Sequence, residues 1–137
     1  MLRVKRVLET ALYVRDLEVA TRFFESVLGL HPVSRGDRLV ALEAGEGTVL
    51  LLFRAGATAD GATFPGGWIP PHDSRGPAHF ALAIEVDDFD AWKERLRANN
   101  IEIESEVTWS RGGRSIYFRD PDGHSVELAT SGVWCVY

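Results

Sequence analysis

Cysteine is all but absent from this chain: Cys135 is the only one among 137 residues. A lone thiol cannot close an internal disulfide, which excludes a disulfide-stapled scaffold and fits a reducing, cytoplasmic setting. Basic charge is in the minority, with 15 Lys and Arg against 20 Asp and Glu and a formal net charge of −5. The basic residues form no run, so neither nucleic acid nor an anionic membrane is an expected partner. No apolar run approaches the roughly 18 residues that a membrane-spanning helix needs. The basic start, Met1-Leu2-Arg3-Val4-Lys5-Arg6, is followed by no apolar stretch of signal-peptide length, so no secretory signal is expected. The remainder, 45% apolar and 26% charged residues, is an ordinary globular composition. At this length the expectation is a single domain over 1–137, or two small halves sharing a core.

Hydrophobic periodicity divides the chain. Val7 to Val14 alternates as a strand, with Glu9, Ala11 and Tyr13 on one face and Leu12 and Val14 on the other. Asp16 reads as an N-cap, Leu17, Ala20, Phe24, Val27 and Leu28 follow at helical spacing, and Gly29 ends the helix. Strands are expected near His31 to Ser34, over Arg38 to Ala44 and over Thr48 to Arg54, completing a first module at about 5–54. Residues 55–77 are crowded with Gly and Pro and read as a long linker loop. Within it Phe64, Trp68, His72 and Arg75 are candidates to touch a ligand; the competing reading is that Phe64 and Trp68 only pin the loop down. A second module at about 78–130 then repeats the order. His79 to Val86 reads as a strand, Asp88 as a cap, Phe89, Trp92 and Leu96 as a helix face, and Ile101 to Thr108 as a strand. Arg114 to Thr130 is a hairpin about the turn Asp120-Pro121-Asp122-Gly123. The apolar tail at 131–137 either supports a dimer or tucks under its own sheet.

The two halves align by counting. Glu9 falls on His79 at an offset of 70, Asp16 on Asp88 at 72, and Arg38–Leu52 on Arg114–Leu128 without a gap at 76. Glu127 is thereby equivalent to Leu51. Each of these strands is aliphatic on its helix-facing side, so Glu9, His79 and Glu127 point the other way. Two carboxylates and an imidazole converging in one concavity make a metal-binding composition. The alternative is exposed sheet glutamates and a satisfied core histidine.

The chain resembles the vicinal oxygen chelate superfamily: glyoxalase I, extradiol dioxygenases, and the fosfomycin and bleomycin resistance proteins. The resemblance covers nearly the whole sequence. It rests on Ala11-Leu12-Tyr13-Val14-Arg15-Asp16-Leu17, Phe23-Phe24, Val27-Leu28-Gly29-Leu30 and His79-Phe80-Ala81-Leu82, and on Tyr117-Phe118-Arg119-Asp120-Pro121-Asp122-Gly123 with Glu127-Leu128. It implies an α+β fold in which two tandem βαβββ modules form a cup-shaped mixed β-sheet with helices on the outside.

For the site, the resemblance implies four ligand positions. His79 and Glu127 fill two with the usual residue types; the first, usually His, is Glu9, and the fourth, a Glu in glyoxalase I, is Leu51. That argues against a four-liganded glyoxalase I and leaves three ligands. Two carboxylates and a neutral imidazole cancel a divalent charge, favouring Mn, Fe(II) or Mg over Zn, with Ni also open. The implied mechanism is bidentate chelation of neighbouring oxygens on a small organic substrate, with ring cleavage, isomerisation and addition to an epoxide all open. His72, if the long loop folds over the cup, is the candidate base and Tyr117 a candidate donor. Phe53, Trp68, Trp109, Arg111 and Arg114 are candidate substrate contacts, and His124 reads as an exposed turn residue. The alternative function is a non-catalytic, bleomycin-resistance-like protein that sequesters its ligand. A homodimer is the expected assembly.

Overall fold

A computed structural model describes all 137 residues. The chain divides into two compact units, Met1–Arg75 and Gly76–Tyr137.

The first unit runs β1 (Glu9–Val14), α1 (Leu17–Leu28), β2 (His31–Arg35), β3 (Leu39–Glu43) and β4 (Val49–Arg54). α1 starts where Asp16 Oδ1 accepts the backbone N–H groups of Glu18 at 2.9 Å and Val19 at 3.0 Å. It stops at Gly29, whose φ of +71° is the left-handed conformation that only glycine enters freely. Its buried stripe, Ala20, Phe24, Val27 and Leu28, lies on the aliphatic side of a sheet ordered β1-β4-β3-β2. Leu12, Val14, Leu42, Leu50 and Leu52 fill that side. Removing each such side chain from water contributes about 2 kcal/mol.

Residues 55–77 are not a structureless loop. They contain a short hairpin, β5 (Ala62–Phe64) with β6 (Gly67–Ile69), closed by Pro65-Gly66. The loop is fastened at its base. His72 N–H donates to the Thr58 carbonyl at 3.2 Å, the Thr58 hydroxyl donates to the His72 carbonyl, and Gly56 N–H donates to Asp73 Oδ1 at 3.2 Å. Trp68 Nε1 lies against Gly61, where an added Cβ would stand 2.9 Å from it. Both aromatic rings nonetheless stay largely exposed, Trp68 at 60% and Phe64 at 55%, so this contact occupies only one edge of the indole.

The second unit runs β7 (His79–Ala83), α2 (Phe89–Ala98), β8 (Ser105–Thr108), β9 (Arg114–Arg119) and β10 (Ser125–Ala129), with sheet order β7-β10-β9-β8. This is the strand order of the first unit, in the same register. Leu39 pairs with Phe53 and Ser115 with Ala129, while Glu9 pairs with Val49 and His79 with Ser125. The βαβββ duplication read from the sequence is therefore the architecture of an α+β fold.

Three local expectations change. Asp88 does not cap α2 with its side chain: a 3₁₀ turn at Val86–Asp88 runs straight into the helix, and Asp88 is itself helical at φ −89°, ψ −4°. Only Ser105–Thr108 of the expected 101–108 strand pairs as a strand. His124 is buried at 3% exposure rather than lying out in the turn. Its Nδ1 accepts the Ala78 N–H at 2.9 Å, tying the entry of β7 to the hairpin.

The turn itself is built on Asp120, whose Oδ1 accepts the N–H groups of Asp122 at 3.0 Å and His124 at 2.8 Å. Its Oδ2 is buried with no hydrogen-bond partner. Burial pushes the Asp120 carboxyl above the usual carboxylate range, against the pull of the His124 and Asp122 contacts. A raised native pKa means that the Asp120 contribution is full below the ordinary carboxylate pKa and is lost as pH rises through the raised value. Asp120→Asn keeps the Oδ1 acceptor and removes the charge. Its stability relative to wild type is expected to improve from pH 4 to pH 7 in urea unfolding, and a pH-independent difference would contradict the assignment.

Candidate metal centre

The second unit brings His79 and Glu127 together. They stand on the parallel neighbours β7 and β10, on the face opposite the aliphatic Val126 and Leu128. His79 Nε2 lies 3.3 Å from Glu127 Oε2. Ala81, directly opposite Glu127, is small and leaves the face open beside the pair. Glu127 is only 6% exposed, so it is not the solvated glutamate of an edge hairpin. Its other oxygen, Oε1, accepts the Ser115 hydroxyl at 2.5 Å, and Ser115 Oγ accepts the Trp109 indole N–H at 2.8 Å.

The imidazole is oriented from behind. His79 Nδ1 is 3.1 Å from the Ser125 carbonyl, which can only accept, so Nδ1 carries the hydrogen. The neutral ring then aims the Nε2 lone pair at a carboxylate oxygen. Two acceptors facing each other at 3.3 Å are reconciled by a proton shared between them or by a metal ion. Two metal bonds of about 2.1 Å set at 90° to 109° put their donors about 3.0 to 3.4 Å apart, so the pair fits neighbouring positions on one ion. The donor chemistry, one imidazole and one carboxylate with both outer atoms hydrogen-bonded, fits a divalent cation. Within neither unit do three or more His, Cys, Asp or Glu side chains gather as a ligand group.

Tyr117 pairs with Glu127 across β9 and β10, and its ring stacks near His79 at 6.1 Å between centroids. Burial first, and then the Glu127 charge, pushes its phenol above the ordinary 10.0, so it stays a hydrogen-bond donor at neutral pH. Trp109 is the partner of Ser115. Arg114 lies on the opposite, helix-side face of β9: its guanidinium sits 3.7 Å from the Phe89 ring centroid and 3.9 Å from Asp90. It is engaged with α2 and does not share the Glu127 face. Arg111 is exposed in the 109–113 turn.

In the first unit the face carrying Glu9 and Leu51 also carries Tyr13 and Phe53. The linker delivers His72 to it: Tyr13 Oη and His72 Nδ1 share a hydrogen bond of 2.6 Å, and Phe53 meets the His72 ring edge-on at 4.7 Å. Burial, then the Asp73 charge, pushes the Tyr13 phenol upward. Glu9 stands exposed at the first position of β1, in the register position that His79 holds in β7. Sequence reasoning missed Ser115, whose only signal was its place two residues before Tyr117 on the same strand face.

Comparison with known proteins identifies the family of this fold. The profile of the Glyoxalase/Bleomycin resistance protein/Dioxygenase superfamily matches residues 6–128. A crystal structure of lactoylglutathione lyase from Agrobacterium tumefaciens superposes with a TM-score of 0.87 at 34% identity, covering 96% of this chain and 98% of that one. The glutathione transferase FosA of Serratia marcescens is 29% identical over 120 residues, 85% of this chain and 74% of FosA. The metallothiol transferase FosB of Staphylococcus saprophyticus is 45% identical over 53 residues, a local match to 38% of this chain that spans 35% of FosB.

Proposed function

The chain belongs to the Glyoxalase/Bleomycin resistance protein/Dioxygenase superfamily, and from that premise we propose that it is a divalent-metal-dependent enzyme acting on a small oxygenated organic molecule through two neighbouring substrate oxygens. The observation that carries this reading is the His79 Nε2–Glu127 Oε2 pair, with each residue's outer atom already hydrogen-bonded. The metal would be held by His79 and Glu127; Glu9, at the register position in β1 that His79 holds in β7, is the further ligand candidate that substitution tests. An ion so held supplies Lewis acidity to a chelated substrate. The ligand set favours Mn, Fe(II) or Mg.

The chain's own residues do the rest. Tyr117, kept protonated and hydrogen-bonded to Glu127, is the candidate to turn its hydroxyl to a substrate oxygen beside that carboxylate. His72, with Tyr13 on its Nδ1, is the candidate for moving a proton at its other ring nitrogen. Phe53, stacked on the Tyr13 ring and meeting the His72 ring edge-on, offers an apolar wall. The reading takes the protein as cytoplasmic and homodimeric; Trp134 and Val136 present apolar surface for a second copy, while the Tyr137 hydroxyl bonds back to the Ile84 carbonyl at 3.3 Å.

A second reading, a non-catalytic ligand-binding protein, is favoured by Leu51, which puts an aliphatic side chain at the position equivalent to Glu127. Elemental mass spectrometry of untagged protein separates the two. A near-stoichiometric divalent ion, lost in Glu9→Ala, His79→Ala and Glu127→Ala, is the expected result. Loss in the latter two alone removes Glu9 from the ligand set. No ion, even after dialysis against Mn²⁺ or Fe(II), overturns the enzyme reading in favour of the second.

A further inference from the structure

We propose that Ser115 and Trp109 are positioning residues for the metal centre: the chain Trp109 Nε1–H to Ser115 Oγ–H to Glu127 Oε1 occupies one carboxylate oxygen and commits Glu127 to bind a cation through Oε2 alone. The inference rests on the metal reading above and adds to it two residues and a denticity.

Geometry is the basis. Ser115 is fully buried on β9 and the hydroxyl is its only polar side-chain atom. A hydroxyl has one hydrogen to donate. Trp109 can only donate, so it takes an acceptor lone pair of Oγ at 2.8 Å and leaves the serine hydrogen for Glu127 Oε1 at 2.5 Å. The Tyr117 hydroxyl, which also bonds Glu127 and Ser115, joins the same network. Hydrogen bonds that feed one another in this way strengthen one another, and the last is to an ionised acceptor, the stronger kind. Glu127 cannot rotate to present both oxygens without abandoning a buried hydroxyl. What remains to a cation is Oε2, on the side of His79 Nε2. The 109–113 turn that carries Trp109 is itself closed, with Trp109 N–H donating to the Gly113 carbonyl at 2.7 Å. The indole is thus held by the backbone and can hold the serine in turn. A carboxylate with one oxygen occupied takes up one coordination position instead of two, which leaves one more for substrate.

The test uses Zn²⁺, a diamagnetic ion, added to the full-length metal-free protein. The dissociation constant is read by calorimetry and the Trp109 indole N–H by ¹H–¹⁵N NMR, assigned with Trp109→Phe. Because a change at Oε2 is felt through Ser115, the wild-type Trp109 resonance is expected to move on titration. Ser115→Ala is expected to weaken Zn²⁺ binding about 10-fold to 100-fold, as for other groups that orient metal ligands, and to leave the Trp109 resonance unresponsive. Ser115→Thr, which restores the hydroxyl, is expected to recover the response. Trp109→Phe, at a half-exposed position, is expected to weaken binding less than Ser115→Ala while folding normally. Unchanged affinity in both Ser115→Ala and Trp109→Phe overturns the inference while leaving the metal reading standing. A wild-type protein that binds neither Zn²⁺ nor, in the same calorimetric titration, Mn²⁺ overturns both. If Ser115→Ala fails to fold, the Trp109→Phe affinity and the wild-type indole shift decide alone.

Discussion

Glu127→Gln is expected to lower the affinity for Mn²⁺ by on the order of 100-fold or more, because it removes a direct donor where loss of an orienting group alone costs 10-fold to 100-fold. The amide is nearly isosteric. Its oxygen still accepts the Ser115 hydroxyl, and its NH₂ turns towards His79 Nε2, so every buried polar group keeps a partner. The metal-free variant should therefore unfold close to the metal-free wild type. The difference shows on adding Mn²⁺ at 100 times the wild-type dissociation constant. Linkage gives the wild type about 2.7 kcal/mol of added stability and a 100-fold weaker variant only about 0.4 kcal/mol. Thermal unfolding with and without the ion checks this. Equal stabilisation of both proteins would remove Glu127 from the site.

The second large effect is expected at Gly113. A Cβ there would stand 2.4 Å from the backbone carbon of Gly132 and 2.4 Å from the backbone nitrogen of Val133. These are main-chain atoms, unable to swing aside as a side chain would. Gly113→Ala is expected to cost about 2 to 3 kcal/mol, the range for overpacking. Gly112 provides the control. It has φ +91° and nothing within 4 Å of its Cβ position. Gly112→Ala meets only the backbone penalty, about 1 kcal/mol. Urea unfolding of the two variants should separate them by at least 1 kcal/mol, and in Gly113→Ala the Trp109 indole resonance should shift as the turn is pushed open. Similar costs at the two positions would mean that the tail does not press on this turn.

The elements were legible where local chemistry and periodicity agreed. Asp16 and Gly29 bracket one amphipathic face, and within the ungapped match of Arg38–Leu52 to Arg114–Leu128 the pair Val40–Leu52 recurs as Ile116–Leu128. The β5–β6 hairpin was hidden because Gly61, Gly66, Gly67, Pro65 and Pro70 read as breakers, yet the chain folds back through Pro65-Gly66 and is fastened at Thr58 and His72. His124 was misjudged because a histidine after a turn glycine has no local signature of burial; the Ala78 N–H that it meets is 46 residues away. Of the site, the alternation of β7 and β10 gave His79 and Glu127 the same face. The Ser115 relay was not legible, since serine is chemically mute in sequence and its role depends on which residue stands across the hairpin.

The shared register of the two sheets bears on how such a chain changes over generations. Insertion of a single residue within β4 or β10 would turn every side chain beyond it to the wrong face. Substitution carries no such penalty. Leu51 and Glu127 occupy the same node of twin lattices, one aliphatic and one a carboxylate, and neither disturbs the ladder around it. Heredity can therefore revise the reactive groups of this protein one side chain at a time, in either half, while the scaffold that presents them is inherited unaltered.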